Sequence, residues 1–108
     1  MDPGRLRHRV TFEEAHKTPD GGGGYTTKWE DVYQGLVWAA VEPLSGAERV
    51  RAMQVYGSVT HRITVRYRLG IKPAMRLMYG GRVLNITSAP IDIGERRAWL
   101  EFYAVEEV

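Results

Sequence analysis

From Ser58 to Leu69 the chain alternates without a break. Val59, His61, Ile63, Val65 and Tyr67 fall on one side, and Thr60, Arg62, Thr64, Arg66 and Arg68 on the other. Period two held this long describes a strand with one buried and one exposed face. A one-residue slip would turn every apolar side chain to solvent, so the register is strongly specified. The same alternation returns in Arg9 to Glu14, where Val10 and Phe12 share a side. It returns again in Leu36 to Glu42 (Val37, Ala39, Val41) and in Arg97 to Val105 (Ala98, Leu100, Phe102, Ala104). Trp29 to Tyr33 reads as a further extended segment, set off by a Gln34-Gly35 turn, and Pro43 closes the segment before it because proline cannot donate to a sheet ladder. Met75 to Tyr79 and Arg82 to Thr87 flank Gly80-Gly81, a pair that supplies the positive φ of a tight hairpin. Strands this short and this evenly spaced predict an all-β fold, a small antiparallel β-barrel of about six strands, closed or nearly so.

Three stretches break the pattern. Lys17 to Gly24 holds a proline and four consecutive glycines and predicts a flexible loop spanning 16–28, with Gly21, Gly22, Gly23, Gly24 and Tyr25 as an interface loop that orders against a neighbour. A phosphate cradle there would need Gly-Lys-Ser/Thr and a helix to follow, and Tyr25-Thr26-Thr27-Lys28-Trp29 follows instead. Residues 45–57 form an excursion in which Ser45 and Glu48 have capping-box spacing and Ala47 to Gln54 is rich in helix formers. Val50, Met53 and Val55 give this short helix only a thin apolar stripe, so its own domain buries it poorly. Ser88 to Glu95, with Pro90 and Gly94, reads as a second loop.

A length of 108 residues makes residues 1–108 a single domain with one modest core. The chain has no cysteine, which removes disulfides, zinc-thiolate sites and iron–sulfur sites together. No window is apolar enough for a membrane helix, and Met1 to Arg9 lacks the apolar run of a signal peptide, so the expected setting is the cytoplasm or something assembled there. No catalytic constellation is legible. His8, His16 and His61 lack metal-ligand spacing, and Glu13-Glu14 and Glu106-Glu107 point to opposite faces if extended. No metal, cofactor or catalytic residue is expected.

The charge carries more information. Net charge is only +2, yet twelve of the fifteen basic residues are arginine. Genome composition gives one account of this; the forked, permanently charged guanidinium at interfaces gives another. Arg62, Arg66 and Arg68 stand about 6.5–7 Å apart along one strand face. That face is either simply solvated, or meets a neighbour's acidic residues or DNA phosphates. Trp29, Trp38 and Trp99 read as core and interface anchors that do not obviously share a face with those arginines.

Several blocks together resemble the phage head–tail joining proteins, also called head-closure, stopper or head–tail adaptor proteins. They are Gly4-Arg5-Leu6-Arg7-His8-Arg9-Val10, the glycine loop followed by Trp29-Glu30-Asp31-Val32, Val37-Trp38-Ala39-Ala40-Val41-Glu42-Pro43-Leu44-Ser45-Gly46, Thr60 to Tyr67, and Arg82-Val83-Leu84-Asn85-Ile86. They occur in the family's order over nearly the whole chain. The resemblance implies a structural, non-enzymatic protein forming a homo-oligomeric ring in the neck of a tailed phage or a phage-like gene transfer agent. The implied place is in the particle, assembled in the bacterial cytoplasm, with a portal adaptor on the head side, a tail terminator on the tail side and transient contact with channel DNA. Arg49 and Arg51 on the excursion, with Arg62, Arg66 and Arg68, are the residues expected to face the channel or partners. Another neck or tail-completion ring protein, or a stand-alone small barrel that binds nucleic acid, are the alternative readings.

Overall fold

The computed structural model describes residues 3–107; Met1 and Asp2 of the opening stretch, and Val108, lie outside the described residues. The strands are β1 (His8–Pro19), β2 (Tyr25–Asp31), β3 (Val37–Pro43), β4 (His61–Arg66), β5 (Arg76–Tyr79), β6 (Arg82–Ile86), β7 (Ile91–Asp92) and β8 (Trp99–Glu106), with one helix α1 (Gly46–Tyr56) between β3 and β4. All pairings are antiparallel. They run β1 to β3, β3 to β4, β4 to β8, β8 to β6, β6 to β5, and β5 back to β1. Six strands therefore close into a barrel, as the strand pattern predicted.

Inside the barrel the alternation read from the sequence is the packing. Val10, Phe12, Val37, Ala39, Val41, Ile63, Val65, Leu77, Leu84, Ile86, Leu100, Phe102 and Ala104 form one cluster, joined by Ile71 and Met75 from the β4–β5 connection. Phe12 meets Phe102 edge-on at 6.0 Å and Tyr33 at 5.6 Å. The hairpin between β5 and β6 turns on Gly80 and Gly81, both at positive φ (51° and 83°), the two-residue geometry in which both central residues are left-handed.

The stretch predicted as a loop over 16–28 is mostly regular structure. β1 runs on past the barrel to Pro19 and pairs with β2 from Glu13↔Asp31 out to Pro19↔Tyr25, so only residues 20–24 lie outside a strand. The glycines serve the turn alone. Gly21 and Gly23 take φ of +85° and +87°, and Asp20 Oδ1 accepts from the backbone N–H of Gly22 (2.8 Å) and Gly24 (3.1 Å). A Cβ at Gly24 would stand 2.9 Å from Asp20 Oδ2. A turn closed this tightly lets pairing continue to the tip, and the result is a two-stranded arm.

The turn expected at Gln34-Gly35 has a clear builder. Asp31 Oδ1 accepts from the N–H of Tyr33 and Gln34 (both 3.1 Å), and Oδ2 from Gly35 (3.0 Å). With β5 holding one edge of β1 at Glu13, β2 and β3 follow one another along the opposite edge, separated by this bulge. The strand predicted from Ser58 to Leu69 is paired as a strand only from His61 to Arg66, because its neighbours end at Pro43 on one side and Trp99 on the other. The predicted Ser88 to Glu95 loop contains β7, whose Ile91 and Asp92 pair with Glu101 and Leu100 of β8.

Candidate partner-binding surfaces

Three surface elements remain once the barrel core is closed: the helix, the arm and the arginine-bearing wall.

The helix forms as its capping signal predicts. Ser45 Oγ accepts from the Glu48 N–H (3.4 Å) and donates to Glu48 Oε1 (2.9 Å), while Gly57 at φ +77° ends the helix with its N–H donating to the Met53 carbonyl (3.1 Å). Ala52 is its one buried side chain. Arg62 Nη1 donates to Glu48 Oε2 at 2.7 Å, and Tyr56 stacks on Tyr103 at 5.0 Å, tying the helix to β4 and β8. Val50 and Val55 are 58% and 73% exposed, with Met53 also open, so the monomer leaves this stripe uncovered. Arg49 and Arg51 are exposed on the same helix, and Arg51 lines a cavity of about 260 Å³ with Glu48, Ala52, Val55, Tyr56 and Tyr103.

The arm carries Gly21, Gly22, Gly23, Gly24 and Tyr25 at its far end, with the Tyr25 ring well exposed. Its base is held by Arg76, whose Nε donates to Glu13 Oε1 at 2.7 Å and whose guanidinium lies 4.0 Å from the Trp29 ring centre. Lys72 Nζ pairs with Glu14 at 2.6 Å.

The arginines predicted to share a strand face are divided. Arg62 turns to the helix side, paired with Glu48 and, at 3.8 Å, with Glu42, which also holds Arg5 at 2.8 Å. Thr64, expected on the open face, is buried in a groove with Arg5, Glu42, Arg62, Ile93 and Glu101. Arg66 and Arg68 line a different cavity of about 400 Å³ with Leu6, Leu36, Val37 and Trp38. Two tryptophans do share surfaces with arginines, Arg66 standing 4.8 Å from the Trp99 ring and Arg9 4.9 Å from Trp38, while Arg68 stands 4.7 Å from the Tyr33 ring. Each such contact contributes about 0.5–1 kcal/mol when exposed. Pairing of Arg9 with Trp38 carries no sequence signal, because the two belong to strands whose register is set only on folding.

His61 shows why the apolar face of β4 tolerates an imidazole. Arg82 Nη2 lies 3.4 Å from His61 Nε2 and can only donate, so Nε2 accepts and the ring proton sits on Nδ1, 2.7 Å from Thr60 Oγ1. Thr60 Oγ1 also accepts from the Glu106 N–H (2.8 Å), and Arg82 grips the Glu106 carboxylate with two bonds of 2.7 Å. Burial lowers the His61 pKa; Glu106 works against that shift, while Arg82 and Arg49 add to it. Hydrogen bonds hold the carboxyls of Glu106 (from Arg82) and Glu48 (from Arg62 and Ser45) below the usual range. The unfolded chain therefore takes up a proton near pH 6.5 that folded His61 resists, and stability falls as pH drops below about 6.5. A second decline follows below about 4.5, where Glu48 and Glu106 are protonated more readily in the unfolded chain. Thermal melts across this range are expected to lose the first decline, and keep the second, in His61→Gln. An unchanged first decline would assign it to other groups.

Among the described residues no three His, Asp or Glu side chains converge as a metal site, and no helix is long and apolar enough to cross a membrane.

The family model described as phage head completion protein matches residues 1–107. The head completion protein gp16 of Bacillus phage SPP1 is 30% identical over 84 residues, covering 78% of this chain and 75% of that protein. A Shigella flexneri 2a protein of known solution structure is 33% identical, with a TM-score of 0.79 over all of this chain and 98% of its own. A chain in the virion of a native gene transfer agent particle is 30% identical, with a TM-score of 0.67 over 95% of this chain and 96% of its own.

Proposed function

Because this chain belongs to the phage head completion protein family, we propose that it forms a ring of copies in the neck of a tailed phage or gene transfer agent, seals the DNA-filled head and docks the tail. Its role there is structural and not catalytic. The ring meets a portal adaptor on the head side and a tail terminator on the tail side.

The observation that carries this reading is the division of the molecule into a closed barrel and two elements that the barrel does not need. All six barrel strands are paired on both edges, so the core is complete in one copy. The arm and α1 instead spend their residues on surface: the arm is exposed along most of its length, and the helix leaves Val50, Met53 and Val55 uncovered. An apolar stripe held open on a helix suits an element that is finished by contact with another subunit. The likeness to a chain of a gene transfer agent virion, over nearly the full length of both, supports the same setting.

Within the ring, the 45–57 excursion faces the channel or the head-side partner. Arg49 and Arg51 there meet DNA phosphates or acidic side chains. Contact with DNA in such a channel is weak and sequence-independent, as scattered guanidinium groups supply. The arm tip, Gly21 to Tyr25, reaches a neighbouring copy.

Electron microscopy of particles from a producing strain that lacks this gene tests the proposal. DNA-depleted heads beside normal free tails are the expected result, and intact, DNA-filled tailed particles would remove the reading. Complementation with Arg49→Glu plus Arg51→Glu is expected to restore neither DNA retention nor joining in full. Normal particle yield with that variant would remove the placement of the helix and leave the neck role standing.

A further inference from the structure

Arg9 pairs with Trp38 across β1 and β3, and Arg66 pairs with Trp99 across β4 and β8. Trp38 and Arg66 are the next positions beyond the paired Ala39 and Val65 of β3 and β4. The four side chains therefore form one row, Arg–Trp–Arg–Trp, running across four adjacent strands. Their sequence neighbours Val10, Val37, Ala39, Val65 and Leu100 are buried in the core, so the row stands on the outer wall. Beside it lies the cavity of about 400 Å³ lined by Leu6, Leu36, Val37, Trp38, Arg66 and Arg68. Leu36 and Trp38 are 58% and 51% exposed there.

The arginines here differ from the four that are neutralised within the chain. Arg5, Arg62, Arg76 and Arg82 are each bonded to a glutamate. Arg9, Arg66 and Arg68 have no carboxylate partner among the described residues, and the Nε of Arg68 is buried without a hydrogen-bond acceptor. The guanidinium groups of Arg9 and Arg66 lie over tryptophan rings, and a guanidinium held there keeps N–H groups to donate. Oriented donors without acceptors, flanking an exposed apolar floor, lack two things: carboxylates and an apolar side chain.

We propose that this row and cavity dock an acidic peptide segment of a partner protein, with an apolar side chain of the segment seated against Leu6, Leu36 and Trp38. Its flanking carboxylates accept from Arg66 and Arg68 on one side and from Arg9, two strands away, on the other. The cavity volume falls in the range of small ligand pockets, enough for a single anchoring side chain. Nucleic acid fits less well. Base stacking needs open rings, and Trp38 and Trp99 each already carry a guanidinium on one face. The leucine floor offers a phosphate backbone nothing. For its biological partner the proposal rests on the reading of Arg66 and Arg68 as partner-facing; its binding chemistry stands by itself, so failure of the binding test below and failure of the particle test above are separate results.

The three tryptophan indole N–H signals in the amide NMR spectrum of the full chain provide the test. Trp29 sits on the arm beside Arg76 and serves as an internal control. Titration with the peptide acetyl-Glu-Asp-Leu-Glu-Asp-amide is expected to move Trp38 and Trp99 saturably and leave Trp29 in place. Arg66→Glu combined with Arg68→Glu is expected to weaken binding by roughly tenfold or more, the scale of one or two lost charged contacts. Should that pair fail to fold, Leu36→Asp, on an exposed position outside the strands, blocks the floor and is expected to weaken binding likewise. The proposal is overturned by silent Trp38 and Trp99 signals, by an equal response to the peptide with lysine in place of its acids, or by a stronger response to a short oligothymidine. Movement of the same two signals with protein concentration alone would also overturn it, in favour of a second copy of this chain as occupant.

Discussion

Phe102→Ala is expected to destabilise the barrel by about 3–5 kcal/mol, the usual cost of removing a fully buried aromatic ring. Phe102 has no exposed surface, pairs with Ile63 across β4 and meets Phe12 of β1 edge-on, so its ring joins opposite walls of the barrel. The surrounding strands are bonded to neighbours on both edges and cannot collapse into the space, which places the loss toward the upper end. Against a typical total of about 5–15 kcal/mol, this is a large fraction of the stability of a domain this size. It corresponds to a fall in Tm of roughly 12–40 °C, since a domain near this length shifts by about 4–8 °C per kcal/mol. Urea and thermal unfolding followed by circular dichroism measure it. Val55→Ala, a larger apolar change than most surface substitutions but on the open face of α1, is expected to stay within about 0.5 kcal/mol of the parent. Similar losses for the two variants would mean that the core does not sit where the barrel places it.

Arg62→Glu is expected to release the helix without opening the barrel. Among the described residues the guanidinium of Arg62 is the one ion-pair tie between α1 and the strands, and the substitution sets a fourth carboxylate among Glu42, Glu48 and Glu101. The pair is open to solvent on the Glu48 side, so its loss removes only a screened attraction, but like-charge repulsion adds to that. For a helix of 11 residues this is decisive, because isolated helices below about 12–15 residues are marginal in water. Amide exchange should show protection lost over Gly46–Tyr56 while β4 and β8 remain protected, with a matching fall in helical ellipticity. Adding Glu48→Arg restores the attraction but places a cation in the first helical turn, against the helix dipole and without the Ser45 bond, so recovery is expected to be partial. Full protection in Arg62→Glu would hand the anchoring role to the Tyr56–Tyr103 stack and Ala52.

Much of this molecule is legible in its residues. The inward faces of β1, β3, β4 and β8, the Ser45–Glu48 cap, the Gly80-Gly81 hairpin and the poorly buried helix all follow from patterns a few residues long. Such patterns succeed because the pleat places alternate side chains on opposite faces whatever the strand's partner, and because a cap or a tight turn is a bond between near neighbours. The arm was not legible. Four glycines and Pro19 read as an absence of structure, whereas Asp20 uses the glycines to close the turn and leaves the flanking residues paired to the tip. β7 was equally hidden, since two residues carry no periodicity and take their conformation from β8.

The neighbours on the outer wall were decided later still. Arg62, Arg66 and Arg68 share a strand face in the sequence, yet Arg62 is drawn to Glu48, fourteen residues earlier on the helix, and Arg66 finds Trp99 on the last strand. Alternation fixes which face a side chain takes; only barrel closure fixes which side chains of distant strands stand beside it. The β1–β5 pairing that closes the barrel, and the registers that align Arg9, Trp38, Arg66 and Trp99 in one row, join residues far apart in the chain. Sequence determined the strands and their inward faces because those are local; the tertiary structure alone determined the outer row, because a cross-strand neighbour is a product of register.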